Sequence, residues 1–370
     1  MVLILMIPVI LVLIIVSMCY GEIRMFQAPI RHGNRYPTQK AYAVKFYPND
    51  PYINYTWAPY GSMKLTNKGK INTYKLGKLF QNRYKNLLGT IYKANEIFFG
   101  ALDSNRTINT AQLIASGIYP EFRQRRNQSS GPIQASVHVE VGEKNLYYPM
   151  IFCENYFIDR QKADLIVAGL FDREELQKFS DYLAVHTTVK FSPFLHSWFL
   201  YNSFVAQVDL GLELKPWTDS IFPNGKLLEM TAFEYRLQTY TNRMKRLVGG
   251  VWIKSFLDHA DNFVNHVSSD QKANFFVASE MHVAAILNTL GVYTPHFPSY
   301  LSAVIFELHE INREFYIQVV HRNEDRSSVL IIPGCDGALC RLEQFKKVLK
   351  DVTLYNFDKD CGNRDFFPIL

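Results

Sequence analysis

Apolar and polar residues are arranged along the chain in blocks that predict strands followed by helices. Short apolar runs bounded by polar turns predict buried strands, and apolar residues at helical spacing predict amphipathic helices. The predicted strands cover residues 23–30, 96–100, 274–278, 302–308, 314–321 and 328–332, and the predicted helices cover 65–84, 106–118, 246–265 and 279–291. Strands that alternate with helices at both ends of the chain predict an α/β fold.

The middle of the chain, residues 132–246, breaks this alternation. It is aromatic and irregular, with helices predicted over residues 172–183 and 233–246. We therefore expect an α/β core made of residues 22–131 and 247–370. The segment 132–246 is expected to form a mainly helical cap on that core.

The chain opens with an apolar run over residues 2–18, and the small residues Ser17, Cys19 and Gly21 follow. This pattern predicts a signal peptide, residues 1–21, with cleavage after Gly21 and secretion of the mature chain. The alternative is an uncleaved anchor, because about 18 apolar residues can just span a bilayer. No second stretch is long and apolar enough, so the mature chain is expected to stay out of the membrane.

Charge is modest, with a formal net charge of +6 and a hydrophobic content of 48%, as in a well-packed globule. The densest basic cluster, residues 123–126, lies beside Ser and Gly, and no nucleic-acid-binding motif accompanies it. A solvated basic surface is expected there rather than a nucleic-acid site. Mild positive charge still favours small anionic ligands by steering.

Four cysteines remain once Cys19 is removed with the signal peptide, and an even number in an exported chain suggests two disulfides. Cys335 and Cys340 bracket a glycine-containing turn and can pair locally, which leaves Cys153 with Cys361. Metal binding is the alternative, but no histidine lies at ligand spacing to either pair, so no metal or other cofactor is expected. Glycosylation sequons compatible with export begin at Asn54, Asn105 and Asn127.

Three segments with chemically active side chains each follow a predicted strand. They are the run from Arg31 to Arg35, the residue Arg106, and the pair Ser279 and Glu280. In open α/β sheets, ligands bind beyond the carboxyl ends of the strands. These segments are therefore expected to converge on one site although they lie far apart in sequence.

Two arginines flank a histidine in the run Arg31-His32-Gly33-Asn34-Arg35-Tyr36-Pro37. Guanidinium groups offer forked donors to phosphate oxygens, and their charge lets an imidazole approach phosphorus as a nucleophile. Gly33 is expected to let the backbone turn sharply, and Arg106 to add a third cation. The structural alternative is a basic surface turn, but five fixed residues at set spacing arise by chance in roughly one chain in ten thousand.

This run resembles the signature of the histidine acid phosphatases, including the prostatic and lysosomal types. Other segments resemble the family in the same order along essentially the whole mature chain, and both expected disulfides match its pattern. The resemblance implies a phosphoglycerate-mutase-like histidine phosphatase sheet with flanking helices and a mainly helical cap. The segments are Leu65-Thr66 with Gly69, Tyr74 to Gly77, Asp103 to Thr107, Arg246-Leu247 with Gly249-Gly250, Leu290 to Tyr293, and Pro333 to Cys340.

The resemblance also implies roles for individual residues. His32 would be the nucleophile that becomes phosphohistidine, and a cluster of arginines would hold the phosphate. The family's remaining pair is His-Asp, in which the Asp protonates the leaving alcohol and the His donates to the transferred phosphoryl group. This chain has Ser279 and Glu280 at that point, so Glu280 would be the acid. The arginines of the expected cluster are Arg31, Arg35 and Arg106.

Ser279 in place of histidine is the serious departure from the family pattern. Glutamate in place of aspartate is tolerable because the two acids have similar reference acidities. Loss of one preorganised donor, by contrast, typically costs about 10²–10³ in rate. His282, near the start of the predicted helix, is a candidate to replace the missing histidine in the site, although a histidine at such a position is more often a capping or surface residue. Pro29 is a second departure, because proline removes a donor from a strand ladder.

A site with these changes resembles the acid phosphatase-like proteins of flea saliva, which lack catalytic residues and bind biogenic amines and leukotrienes. The arginines suit the carboxylate of an anionic lipid mediator, Glu280 suits an ammonium group, and aromatic residues suit an indole or a fatty tail. The expected function is therefore binding of small mediators by a secreted protein. The alternatives are an active acid phosphatase acting on phosphomonoesters, and a structural or receptor-directed decoy without a ligand.

Overall fold

The computed structural model describes residues 21–124, 135–140, 146–267 and 271–364. The predicted signal peptide lies outside these ranges apart from Gly21, as do Arg125, Arg126 and the sequon at Asn127. Within these ranges no helix is both long and apolar enough to cross a membrane. The same ranges contain no group of three or more His, Cys, Asp or Glu side chains placed to hold a metal ion.

A mixed sheet forms the centre of the fold, in the order β3-β2-β4-β1-β5-β6-β7, with β8 paired to β6. β1 lies in the interior of the sheet, parallel to β4 and antiparallel to β5. The strands are β1 Glu22–Arg31, β2 Ile97–Leu102, β3 His138–Glu140, β4 Ala273–Ala278, β5 Ala303–Ile311, β6 Glu314–Asn323, β7 Arg326–Leu330 and β8 Leu339–Arg341.

Helices cover both faces of the sheet, and the predicted α/β fold is confirmed. In the part of the chain that the structure describes, Pro149–Ile151 and Pro216–Thr218 form short 3₁₀ helices, and Arg246–Gly250 forms a π-helical turn. The helices are α1 Lys40–Ala43, α2 Asn67–Arg83, α3 Lys85–Leu88, α4 Asn105–Ile118, α5 Glu121–Gln124, α6 Glu154–Ala168, α7 Arg173–Thr187, α8 Pro193–Asp209, α9 Lys226–Leu237, α10 Asn242–Lys245, α11 Val251–Val264, α12 Glu280–Thr289, α13 Leu342–Val348 and α14 Phe357–Cys361.

Neighbouring residues of one strand contribute to different cores, because side chains alternate across a sheet. Phe275 packs with Phe26 and the residues of α2 and α4 on one face. Phe276 packs with Trp252 of α11 and Phe306 on the other face. The continuous apolar pattern of β4 follows from this burial on both sides.

The helix predicted over residues 233–246 is wrong as a single element. α9 ends at Leu237 and α10 begins at Asn242. The break is stabilised at Thr241, whose hydroxyl accepts a hydrogen bond from Met244 N at 3.1 Å and donates one to Asp159 at 3.0 Å. A local cap and a contact with α6 therefore outweigh the helical pattern of the sequence.

The segment that was expected to form a cap contains both helices and a strand. Helices α6 to α10 lie within residues 132–246, but β3 pairs with β2 in the central sheet. The start of the segment therefore extends the core sheet. The division into core and cap stays a prediction.

Pro29 lies inside β1 rather than beyond its last hydrogen bond. It stays in register with Phe276 of β4, and the following residues Arg31 and His32 donate backbone hydrogen bonds to Ser302 and Ala278 at 2.8 and 3.0 Å. Alternate residues of a strand bond to opposite neighbours, so the nitrogen of Pro29 faces β5. Between Gln27 and Ile30 the residues of β1 are not paired with β5, so no ladder hydrogen bond is required from Pro29. The proline is tolerated without displacing the end of the strand.

Both predicted disulfides are confirmed. The Sγ atoms of Cys153 and Cys361 are 1.98 Å apart, and those of Cys335 and Cys340 are 2.04 Å apart. The first bond joins the chain just before α6 to the end of α14, across a sequence separation of 208 residues. The second closes a local turn between β7 and α13.

Candidate active site

The site forms where β1 ends in the middle of the sheet. His32 follows the last residue of β1, and backbone bonds from Arg31 and His32 hold this end between β5 and β4. The amide of Gly33 donates to the hydroxyl of Thr110 at 3.1 Å, and that hydroxyl donates to the carbonyl of Arg106 at 2.7 Å. The loop after β1 is thus tied directly to the first turn of α4.

Gly33 is required by close packing, and the expected sharp turn is not its main role. A Cβ at Gly33 would lie 2.5 Å from the hydroxyl oxygen of Thr73 on α2, and Gly33 is not among the residues with positive φ. The loop is also held from the other side, because the Asn34 amide donates to both carboxylate oxygens of Asp209 at 3.0 Å. Helices α2 and α8 therefore fix the loop that carries His32 and Arg35.

Arg31 is completely buried, with its guanidinium between two aromatic rings. The carbon Cζ lies 4.6 Å from the ring centre of Phe297 and 4.3 Å from that of Tyr300. One nitrogen donates to the carbonyl of Pro298 at 2.5 Å, and Nε lies 3.7 Å from a carboxylate oxygen of Glu280. Nε and Nη2 have no hydrogen-bond partner among the described residues. The buried Nη2 donor is therefore available to an anion, whereas Nε already faces the carboxylate of Glu280.

A contact with the backbone fixes the ring orientation of His32. Its Nδ1 lies 2.9 Å from the carbonyl oxygen of Gly33, and since a carbonyl only accepts, the hydrogen is assigned to Nδ1. The neutral ring then has its lone pair on Nε2. Burial holds the pKa of His32 well below its usual value, and the charges of Arg106, Arg31 and Arg35 lower it further. Burial and the neighbouring charges therefore favour the neutral form of the imidazole.

Arg106 contributes a positive charge to the site from the first turn of α4. The Ser104 side chain caps this helix by accepting from the amide of Thr107, which places Arg106 in the first turn. Burial lowers the pKa of Arg106, and the charge of Arg35 adds to this effect, while Tyr148 and Glu280 oppose it. Three arginines thus lie at the site. Among the residues expected there, Glu280 is the single carboxylate, so this set of residues has a net positive charge.

Ser279 and Glu280 stand at the junction of β4 and α12, and both are buried. Glu280 faces Arg31 as described above. The structure therefore brings together Arg31, His32, Arg106 and Glu280, with Arg35 close enough for its charge to act on His32. All of the sequence-predicted segments meet at one end of the sheet.

His282 is committed elsewhere. Its Nδ1 accepts a hydrogen bond from the backbone amide of Ser279 at 3.3 Å, and its Nε2 donates to the carbonyl of Tyr147 at 2.9 Å. Burial lowers the pKa of His282, which keeps this ring neutral and suits one donated and one accepted bond. The residue caps α12 and fastens it to the segment before Pro149–Ile151, so it does not replace the missing histidine.

Sequence reasoning missed the aromatic residues that close the site. Phe297 and Tyr300 sandwich Arg31, and Tyr235 of α9 is near both Glu280 and Arg31. Tyr148 lies beside Arg106 and Ser279. None belongs to a motif. The aromatic richness of residues 132–246 was a signal for Tyr148 and Tyr235, whereas nothing in the sequence pattern marked Phe297 and Tyr300.

Charge removal at Arg106 gives the first testable prediction. The Arg106→Gln variant should raise the pKa of His32, because Arg106 makes the largest charge contribution that depresses it. The measurement is an NMR pH titration of the His32 imidazole in both proteins. An unchanged pKa would show that the charge of Arg106 does not depress the pKa of His32.

Comparison with known proteins decides the family. The family model described as histidine phosphatase superfamily (branch 2) matches residues 22–322. The chain belongs to this family. Its relatives include the venom acid phosphatase Acph-1 of Apis mellifera, which is 30% identical over 366 residues and aligns with 96% of this chain and 92% of its own length.

Other histidine phosphatases are similar over most of the chain. The prostatic acid phosphatase of Bos taurus is 26% identical, covering 93% of this chain and 89% of that protein. Among solved structures, a Hafnia alvei phytase in complex with tartrate superposes with a TM-score of 0.67 at 15% identity, covering 90% of this chain and 98% of that one. At this identity the structural likeness shows the shared fold alone.

Proposed function

We propose that this histidine phosphatase is a secreted protein with an impaired catalytic pair that binds small anionic mediators, such as leukotrienes, in its former active-site region. Ser279 is the observation that carries the proposal, because the family pattern requires a histidine there. Secretion is supported by the predicted signal peptide and by two disulfides, which persist in oxidising compartments.

Impaired turnover follows from the chemistry of the missing donor. An imidazole at position 279 would donate to the phosphoryl group as charge develops, and removal of such a donor typically costs about 10²–10³ in rate. The serine hydroxyl is shorter and never cationic. His282 is held by Ser279 and Tyr147, so it gives no support to a rescue.

Anion binding is supported by what remains in the site. The buried Nη2 donor of Arg31 has no hydrogen-bond partner among the described residues, and the charges of Arg35 and Arg106 act on the same place. Glu280 already faces Arg31 at 3.7 Å, so a carboxylate ligand is favoured over an amine. The rings of Phe297 and Tyr300 offer apolar surface beside the charge.

The Arg35→Ala variant should weaken a charged ligand selectively. Hydrogen bonds to charged groups contribute about 1.5–3 kcal/mol, so the affinity for a leukotriene with a free carboxylate should fall about 10- to 100-fold. Its neutral methyl ester should bind almost equally to both proteins. Calorimetric titration measures the four affinities.

The matched control is Arg173→Ala, which removes one exposed charge at the start of α7. It should leave both affinities unchanged. Equal losses for the acid and the ester in Arg35→Ala would mean that the arginine does not recognise ligand charge, and would count against the proposal.

An active acid phosphatase is the second candidate, favoured by the neutral, oriented His32. Nε2 would bond to phosphorus as the bond to the leaving alcohol breaks, and Glu280 would give that alcohol its proton. Water would then hydrolyse the phosphohistidine. Relatives named as acid phosphatases support this candidate. Brisk hydrolysis of p-nitrophenyl phosphate by the unmodified protein at acid pH would establish it and overturn impairment.

A further inference from the structure

A separate cavity of about 140 Å³ lies on the face of the sheet that α11 covers. Its lining includes Gln27 of β1 and Asn274 of β4, which are paired in the parallel register and each lie four residues before the end of their strand. A strand rises about 3.3 Å per residue, so these two residues lie roughly 13 Å along the sheet from Arg31 and Ala278. The cavity is therefore distinct from the anion site.

Aromatic rings form much of the lining of this cavity. The ring centre of Trp252 lies 4.2 Å from that of Tyr147 and 5.0 Å from that of Phe276. Phe98 of β2 adds a fourth ring, and both Phe98 and Tyr147 are partly exposed, so the cavity has access to solvent. Aromatic side chains offer flat apolar surfaces, which favour a flat ring as the ligand.

Two buried amide side chains in the lining have fixed orientations. The Gln27 Nε2 donates to the carbonyl of Trp252 at 3.0 Å, and since a carbonyl only accepts, this contact decides which end of the amide is the nitrogen. The Gln27 Oε1 then accepts from the Ser255 hydroxyl at 3.2 Å and from the Asn274 Nδ2 at 3.4 Å. The Asn274 amide is thereby oriented with its nitrogen towards Gln27, which leaves its oxygen Oδ1 uncommitted to this network.

One acceptor and one donor of the lining lack partners. Among the described residues, neither the Oδ1 of Asn274 nor the Nε1 of Trp252 has a hydrogen-bond partner, although both atoms are buried. An indole N–H can only donate, and the oriented Asn274 oxygen can only accept. Buried polar groups are normally hydrogen-bonded, so two complementary groups left over in one cavity indicate a partner that enters from outside.

We propose that this cavity binds a small neutral heterocycle of the cyclic-amide class, which carries both a donor N–H and an acceptor oxygen. Its N–H would donate to the Oδ1 of Asn274, its oxygen would accept from the Nε1 of Trp252, and its ring would pack against Phe276 and Tyr147. A cavity of about 150 Å³ holds one benzene-sized ring, so a single ring reaches both groups.

The chemistry of the lining favours a neutral ligand. The side chains of the network, Gln27, Asn274 and Ser255, are uncharged, as is the Trp252 indole. An ion would lose its hydration without gaining an opposite charge from these groups, which is costly in a buried place. The inference does not depend on anion binding by the arginines.

The test uses 2-pyridone as the probe and NMR of the whole ¹⁵N-labelled protein. The chain has four tryptophans, and the indole signal of Trp252 is identified by its loss in Trp252→Phe. This signal should shift on addition of 2-pyridone until it saturates, while the other three stay in place. Pyridine keeps an acceptor but lacks the N–H, so it should bind about tenfold more weakly. A Trp252 signal that does not shift would mean that the cavity holds only water, and would overturn the inference.

The Asn274→Leu variant tests recognition of the ligand N–H. It keeps a side chain of similar size without the acceptor, so the affinity for 2-pyridone should fall about tenfold while that for pyridine stays the same. Equal changes for the two compounds would contradict recognition of the N–H by Asn274. Trp217→Phe is the matched control, because this indole stacks on His186 outside the cavity, and it should bind 2-pyridone normally.

Two further measurements keep the outcome clear. Thermal melting shows whether Asn274→Leu is folded, and ligand-observed NMR of Trp252→Phe, which should also bind 2-pyridone about tenfold more weakly, gives an independent result. Inorganic phosphate should bind to Asn274→Leu as it does to the unmodified protein. Failure of the 2-pyridone experiments with normal phosphate binding would therefore overturn this inference and leave the proposed function intact.

Discussion

Restoring histidine at position 279 is expected to raise hydrolysis of p-nitrophenyl phosphate at acid pH by about 100-fold, the usual contribution of one such donor. The groups expected to act as nucleophile, phosphate ligands and acid are already close together: Nδ1 of His32 is held by the carbonyl of Gly33, and Glu280 lies 3.7 Å from Arg31. The Ser279→His variant therefore adds the histidine of the family pattern that this chain lacks. Initial rates of the two proteins at equal concentration give the comparison.

The control for this prediction is the double variant Ser279→His with His32→Ala. The gain should vanish in it, because no phosphohistidine can form without the imidazole at position 32. If Ser279→His alone stays inert, the missing donor is not the cause of low turnover. A gain that survives His32→Ala would remove His32 from the role of nucleophile.

The convergence of the site could be predicted because each of its parts directly follows its own strand in the sequence. Each of β1, β2 and β4 is a short apolar run, and the polar residues that follow it must emerge at the same edge of the parallel strands. The long chain segment between Arg31 and Glu280 does not change this expectation. The residue types in the run from Arg31 to Pro37 predicted that the site binds a phosphate or another anion.

Tyr148 could not be predicted in the same way. Its place depends on His282, which lies 134 positions further along the chain in sequence and reaches the carbonyl of Tyr147 only in the folded protein. The expected pairing of Cys153 with Cys361 indicated where the segment is anchored, but not which tyrosine ring packs against His282. That choice is made by packing, because Tyr147 stacks near Trp252 and Phe276.

The interrupted helix near residue 240 illustrates the same limit. The sequence pattern over residues 233–246 suits a helix, yet Thr241 caps a new helix and Arg243 pairs with Asp159 at 2.5 Å. Both interactions require α6 to be in place. Local propensity is a weak preference that such tertiary contacts override.

Removing the long disulfide is expected to destabilise the protein far more than removing the short one. In the loop-entropy model, the Cys153–Cys361 bond closes a 208-residue separation and contributes about 5 kcal/mol, whereas Cys335–Cys340 closes a separation of 5 and contributes about 2 kcal/mol. Paired Cys→Ala variants of each bond avoid free thiols. Urea denaturation monitored by circular dichroism gives the free energy of unfolding of each.

The long bond should also matter for the ligand, because it holds the segment that His282 fastens to the start of α12, next to Ser279. The amide of Glu154 donates to the carbonyl of Asn363 at 3.2 Å beside this bond, and Cys153 is bonded to Pro149 through its backbone. Phosphate affinity should therefore fall in the Cys153→Ala, Cys361→Ala variant under conditions where it is still folded. The Cys335→Ala, Cys340→Ala variant should bind phosphate normally. Equal stability losses in the two variants would contradict the loop-length argument, and unchanged phosphate affinity in the first would show that the turn at Pro149–Ile151 keeps this segment in place without the disulfide.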